Sequence, residues 1–258
     1  MIESPHPHVN ATLENGVATI ELAHPERRNA LSFEMADAIR AIVDDVAWRP
    51  ETRVLVLQGA GKSFCAGYDV TTKRKSGSPR VRMVERSPIT RAIQSIASAP
   101  VVRIARLHGH VIGAGLVLAQ QCHLRYAATG TRFAVPELDL GVPYLLGGVS
   151  LLARDVGPIR AADMVLNCTA LDVEHPDAAG LVTEVVDADA LDLRVREVAG
   201  KIAARPDALL MASVISLDRA AADLLPAAPS DLFSGFFARD DADSMRVSSE
   251  YLLKLKKR

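Results

Sequence analysis

Three stretches of this chain hold residues that could do chemistry together. The first is residues 54–70, VLVLQGAGKSFCAGYDV; the second is residues 102–125, VRIARLHGHVIGAGLVLAQQCHLR; the third is the carboxylate Glu137, two residues after Val135. In each of the first two, an apolar strand pattern runs into a glycine-rich bend and then into an expected helix. Such a bend can present backbone N–H groups that a side chain would otherwise cover. A helix start adds N–H groups without intrahelical acceptors and the positive end of the dipole. Two such donors aimed at one oxygen would stabilise an oxyanion, and thioester chemistry develops one. Taken singly, Gly59, Gly61 or Gly109 reads as a residue that only permits a tight turn. Cys65 lies in the first loop with no evident His or Asp partner, so no thiolate role is assigned to it.

Elements of two periodicities must hold these stretches in place. Apolar alternation on both sides of Asn15-Gly16 predicts a hairpin of strands 9–13 and 17–22. Ser32 can cap a helix with the apolar face Met35, Ile39, Ile42 and Val46. Buried strands are expected over 53–58 and 101–107, a helix over 89–96 and an apolar helix over 113–122. Short strands are expected over 123–126 and 132–135. Residues 138–148 read as a Gly/Pro-bearing turn, and 151–166 as a helix broken at Gly157-Pro158. A strand over 181–186 and a helical tail from about 190 complete the pattern. Residues 71–86, rich in Lys, Arg, Ser and Gly, read as a surface loop or irregular helix. The expectation is an α/β core over 1–195 and a helical C-terminal region over 196–258.

Composition narrows the class. With 258 residues and 49% hydrophobic content the chain can bury a sizeable core. A net charge of −1 gives no electrostatic reason to expect nucleic acid or an acidic membrane surface. No apolar run reaches membrane-spanning length, and Met1 to His8 do not read as a signal peptide. Three cysteines at unrelated spacings suit neither a zinc site nor a disulfide framework. The expected setting is a soluble protein of the cytoplasm.

The two glycine segments resemble signatures of the crotonase superfamily, the enoyl-CoA hydratase/isomerase family. The first is similar to its Gly-x-Gly-x-x-Phe-x-Ala-Gly-x-Asp motif, and the second to its Gly-x-x-x-Gly-[Gly/Ala]-Gly-x-x-Leu-Ala-x-x-Cys-Asp-x-Arg stretch. Four further blocks match in collinear order: His24 to Ser32, Phe133 to Glu137, Ala178 to Val182, and Phe237 to Met245. The resemblance implies a spiral of ββα units with a helical C-terminal region, and relatives that are commonly trimers or hexamers. It implies an acyl-CoA thioester as substrate, with CoA as part of that substrate and no metal or redox cofactor. It places the oxyanion donors on the N–H groups of Tyr68 and Ala114. Ala66, Gly67, Tyr68, Asp69, Gly113 and Ala114 would line the acyl-CoA site. Asp69 reads as a loop-bonding residue. Arg27 and Arg28 have the charge to meet CoA phosphates, as do Lys73, Arg74 and Lys75.

Members of this family differ through the acidic residues around one oxyanion hole. Where a hydratase has its first glutamate, this chain has Val117; the second position is Glu137. The aspartate of dienoyl isomerases and some dehalogenases is replaced by Leu145. One carboxylate suits a 1,3-proton shift, which makes 3-enoyl-CoA to 2-enoyl-CoA isomerisation the expected reaction. Hydration, hydrolysis or decarboxylation of an acyl-CoA, and acyl-CoA binding without turnover, remain as alternatives. Asp139, His110 and Tyr144 are further candidates for proton handling, with His110 read first as a packed or hydrogen-bonded histidine. Phe236, Phe237, Leu252 and Leu253 are candidates for subunit contact.

Overall fold

A computed structural model describes residues 2, 4–71, 87–224 and 241–255. Lys73, Arg74, Lys75, Phe236 and Phe237 lie outside the described residues, as does most of the surface segment expected over 71–86. The fold is mixed α/β. A six-stranded sheet runs in the order β1 (Val9–Glu14), β2 (Val17–Leu22), β3 (Val54–Gly59), β4 (Val102–Leu107), β6 (Leu124–Ala128), β9 (Glu184–Val186). A three-stranded sheet joins β5 (His110–Ile112), β7 (Arg132–Ala134) and β8 (Leu171–Asp172). β1 pairs antiparallel with β2, and every later pairing in the large sheet is parallel. β3 is buried along nearly its whole length, as its run of Val and Leu requires for a parallel strand covered on both faces.

The hairpin turns where the sequence places it. Asn15 and Gly16 have φ of 50° and 81°, the left-handed pair that a two-residue turn between twisted strands demands. The first helix, α1 (Phe33–Val46), is capped by Ser32, whose Oγ accepts from the Met35 N–H at 3.1 Å. Its buried face of Met35, Ile39, Ile42 and Val46 packs with Ile89, Ile93 and Ile96 of α2 (Pro88–Ser98) in the main core. The short α3 (Ala114–Gln120) is buried at every position. α4 (Gly148–Val156) and α5 (Pro158–Leu166) are separated at Gly157, φ 78°.

Several short elements differ from the pattern read in the sequence, among them β5, which falls between the strand expected over 101–107 and the helix expected over 113–122. Residues 181–186 do not form one strand; a 3-10 helix at Pro176–Leu181 precedes the three-residue β9. Pro176 at its first turn and the His175 Nδ1 that accepts from the Asp177 N–H start that helix. β8 was not anticipated, because two residues paired with Arg132 and Phe133 carry no periodicity of their own.

Three C-terminal helices follow: α6 (Leu191–Ala203), α7 (Asp207–Asp223) and α8 (Ala242–Leu255). Leu191, Val195 and Ala199 of α6 pack with Val54, Val56, Ile104 and Tyr126 in a second cluster on the sheet. The boundary expected after residue 195 falls within this helix. α7 is tied to the sheet by charge. Buried Arg103 pairs with Asp218 and donates to Ala99 O at 2.8 Å. His123 lies between them, Nε2 3.0 Å from Asp218 Oδ1, and burial with the nearby Arg103 pushes it down to about 4.

Candidate active site

The two glycine loops meet edge to edge through main chain. Cys65 and Val111 form a parallel bridge: Cys65 N–H donates to His110 O at 3.1 Å, and Ile112 N–H donates to Cys65 O at 3.0 Å. On the other side, Leu31 N–H donates to Gly67 O at 2.8 Å, and Asp69 N–H donates to Leu31 O at 2.9 Å. Gly67 has φ 92°, and a Cβ there would lie 3.0 Å from Ile112 O and 3.7 Å from Ala114 N. The turn leading into Tyr68 is therefore in contact with the peptide leading into Ala114. Ala114 is the first residue of α3, so its N–H has no intrahelical acceptor.

Asn29 fastens the first loop. It is fully buried at φ 57°, and its Nδ2 donates to Ala60 O at 2.9 Å and Ser63 O at 2.8 Å. Its Oδ1 accepts from the His24 N–H at 2.8 Å. Replacement by alanine would remove the side-chain partner of one buried and two half-buried backbone groups. Asn29→Ala is expected to cost about 3 kcal/mol, read as a lowered urea midpoint at unchanged slope.

Glu137 arrives over this junction because β7 runs parallel to β5. Ile112 pairs with Ala134, and the Gly113 N–H donates to Ala134 O at 3.0 Å. Three residues on, the Glu137 carboxylate covers Gly113: a Cβ on Gly113 would lie 2.3 Å from Oε1. Oε2 is buried and accepts no hydrogen bond from a group among the described residues. Burial pushes the Glu137 carboxyl up to about 7, so it can hold or release a proton near neutrality.

The other sequence candidates fall into distinct settings. Val117 is fully buried in the main core and Leu145 is half-buried, and neither hydrocarbon side chain can exchange a proton. Tyr144 is 5% exposed, and its hydroxyl has no hydrogen-bond partner among the described residues. Burial, with Glu137 and Asp155 nearby, holds the phenol well above its ordinary value and therefore neutral. Its ring lies on Gly148, where a Cβ would be 2.5 Å from Cε1 and Cζ; this dependence on Gly148 was not read from the sequence, and the Gly147-Gly148 pair was the available signal. Asp139 is exposed. Asp69 Oδ1 accepts from Thr71 N–H at 2.9 Å and Thr71 Oγ1 at 2.6 Å, a loop-bonding arrangement. His110 Nδ1 lies 3.3 Å from Ser63 Oγ, and burial with Arg28 and Arg132 lowers its pKa. Ala66 N–H donates to Arg28 O at 2.9 Å, which brings Arg28 beside the first loop. Arg27 and Arg28 are exposed and form no ion pair among the described residues. Buried Cys65 donates to Asn29 O at 3.1 Å, and burial pushes its thiol up to about 12, which leaves it inert.

A family model described as Enoyl-CoA hydratase/isomerase matches residues 12–256. The chain belongs to the enoyl-CoA hydratase/isomerase family. A crotonyl-CoA hydratase of Syntrophomonas wolfei is 31% identical over 196 residues, 73% of each chain. A short-chain-enoyl-CoA hydratase of Clostridium acetobutylicum is 26% identical over 234 residues, 88% of each chain. The solved enoyl-CoA hydratase of Mycobacterium avium subsp. paratuberculosis superposes with a TM-score of 0.84 at 24% identity, covering 96% of this chain and all of that one; at that identity it shares the fold. As an enzyme of the enoyl-CoA hydratase/isomerase family, the protein has the crotonase fold expected from its glycine segments.

Proposed function

We propose that this protein binds an acyl-CoA thioester and stabilises its enolate through the Tyr68 and Ala114 N–H groups, with Glu137 as the proton carrier. The observation that carries the reading is the Glu137 carboxylate lying over Gly113, at the peptide that leads into Ala114 and against the Gly67 turn. In 3-enoyl-CoA to 2-enoyl-CoA isomerisation, Glu137 takes a proton from C2 and the thioester oxygen becomes an enolate oxygen. The same proton returns at C4, and the double bond moves from C3–C4 to C2–C3. The step balances with one carboxylate and no co-reactant, which suits a site with Val117 in place of a second glutamate.

Hydration is the second reading, favoured by the hydratase names of the two curated relatives. A paired assay separates them: double-bond migration on 3-enoyl-CoA and water addition to 2-enoyl-CoA, followed independently. Migration without hydration supports the isomerase; hydration without migration overturns it.

Arg27 and Arg28 would meet the CoA phosphates. Replacing both with alanine is expected to raise KM about tenfold with kcat within twofold, because the contact would be equal in ground and transition states. Steady-state kinetics at two ionic strengths checks this, the difference shrinking at high salt. The exposed Leu209, Met211, Ile215, Leu217 and Leu224 in and just after α7 support a homotrimer or hexamer.

A further inference from the structure

The turn that carries Glu137 is closed by its own main chain. Glu137 O accepts from the Leu140 and Val142 N–H groups, both at 3.0 Å, and the Gly141 N–H donates to Leu138 O at 3.0 Å. Leu138–Leu140 is thus a single 3-10 turn, ended by Gly141 at φ 69°. The last carbonyls of a helical turn have no partner within it. Leu140 O finds its donor on the C-terminal helix: Ser248 Oγ of α8 donates to it at 2.7 Å.

The backbone of α8 also lies against this turn. A Cβ on Gly141 would be 2.5 Å from Ser244 O and 2.9 Å from both Ser248 N and Ser248 Oγ. From Ala242 to Lys254 only Ser244, Val247, Ser248 and Tyr251 are half-buried, and the rest are exposed. Those four recur at helical spacing, so α8 docks along one narrow stripe. With no residue fully buried on that stripe, the seat of α8 depends in good part on the Ser248 bond. The charged residues Asp243, Arg246, Glu250 and Lys254 are off the stripe, and Arg246 pairs with Asp243 and Glu250 within the helix. Tyr251 is the one titratable side chain on it, and Asp139 on the turn itself is exposed. Burial rather than a neighbouring charge raises the Glu137 carboxyl, and Tyr144, whose phenol feels the Glu137 charge, is held neutral.

We infer that α8 braces the Glu137 turn and that Ser248 is a positioning residue for the proposed base: by holding Leu140 O, its hydroxyl keeps the Glu137 carboxylate over Gly113. The inference rests on Glu137 as the proton carrier, but not on which reaction that proton serves. A loosened turn lets the carboxylate drift and admits water to it, and each has its own signature. Drift lowers kcat and leaves KM little changed, because other residues grip the thioester. Water lowers the carboxyl pKa toward its ordinary value, because burial is what raises it.

The test compares wild type, Ser248→Ala, Ser248→Thr and Ser249→Ala by kcat, KM and the pH profile of kcat/KM, on 3-enoyl-CoA and 2-enoyl-CoA. Ser249 Oγ donates to Met245 O within α8 at 2.8 Å, so its replacement makes the same chemical change beside the brace but not in it. Ser248→Ala should lower kcat about tenfold with KM within twofold. The inflection of kcat/KM should move from about 7 to lower pH. Ser248→Thr keeps the hydroxyl and should return both toward wild type, and Ser249→Ala should match wild type. A Ser248→Ala enzyme with the kcat and inflection of wild type overturns the brace. So does an equal fall in Ser248→Ala and Ser249→Ala, or a fall with raised KM and an unmoved inflection, either of which marks a general loss of structure. Glu137→Gln is run alongside. Full turnover in that variant overturns the proton-carrier reading, and the brace with it; an inactive Glu137→Gln beside an unchanged Ser248→Ala overturns the brace alone.

Discussion

Glu137→Gln is expected to reduce turnover by roughly a hundred- to ten-thousand-fold, with acyl-CoA affinity little changed. The amide keeps the shape of the carboxyl and can still lie over Gly113, but it cannot take a proton. The wild-type pH profile should carry the same signature. Glu137 must be ionised to act as the base, and burial holds its pKa at about 7. The kcat/KM of wild type should therefore rise with pH and level off above about 7. Residual activity in the variant should lack that inflection. The variant also has a consequence for stability. The folded pKa is raised to about 7 from an ordinary 4.5, so between those values the folded state binds more protons than the unfolded one. Stability from this group is present at low pH and lost as pH rises through that window. The melting temperature of Glu137→Gln minus that of wild type should widen from pH 5 to pH 8. A constant difference across that range would show that Glu137 is not titrating in a buried setting.

Gly113→Ala should damage both fold and activity. Gly113 has φ 52° and ψ −118°, a conformation that a side chain makes costly by about 1–3 kcal/mol. The added Cβ would also lie 2.3 Å from Glu137 Oε1, so the carboxylate must leave its place. The Ala114 peptide begins at the same residue, so the proposed base and donor move together. Activity is expected to fall at least as far as in Glu137→Gln, and the melting temperature to drop by roughly 5 °C. A double-mutant cycle divides the two costs. Combining Gly113→Ala with Glu137→Ala removes the clash but not the backbone strain, so stability should recover in part and activity not at all. Full recovery would show that the backbone at 113 is unstrained.

The glycine loops were legible in the sequence because their requirement is local. Gly67 and Gly113 sit at φ 92° and 52°, conformations that glycine adopts without strain. The main helices and the hairpin followed from apolar period and from Ser32 and Asn15-Gly16 for the same reason. What stayed hidden depends on residues far apart in the chain. Asn29 reaches Ala60 and Ser63, and no spacing rule connects those positions. Glu137 sits over Gly113 because β5 and β7 pair in a particular register, Ile112 with Ala134. The short β8 and β9 are likewise set by their partners.

The interlock of the two loops separates two jobs that an enzyme often entrusts to the same side chains. Main-chain bonds among Arg28, Leu31, Cys65, Gly67 and Ile112 fix where the Tyr68 and Ala114 peptides lie. The proposed proton carrier, Glu137, is a side chain from another element. On the proposed function, the polarising half of the site would be insulated from drift at positions 68 and 114, whose side chains it would not use. The half that chooses the reaction could then be rewritten one residue at a time, at 117, 137 or 144, without rebuilding the half proposed to grip the thioester. A selection experiment that randomised those three positions together would test this: variants that change the reaction should keep acyl-CoA affinity.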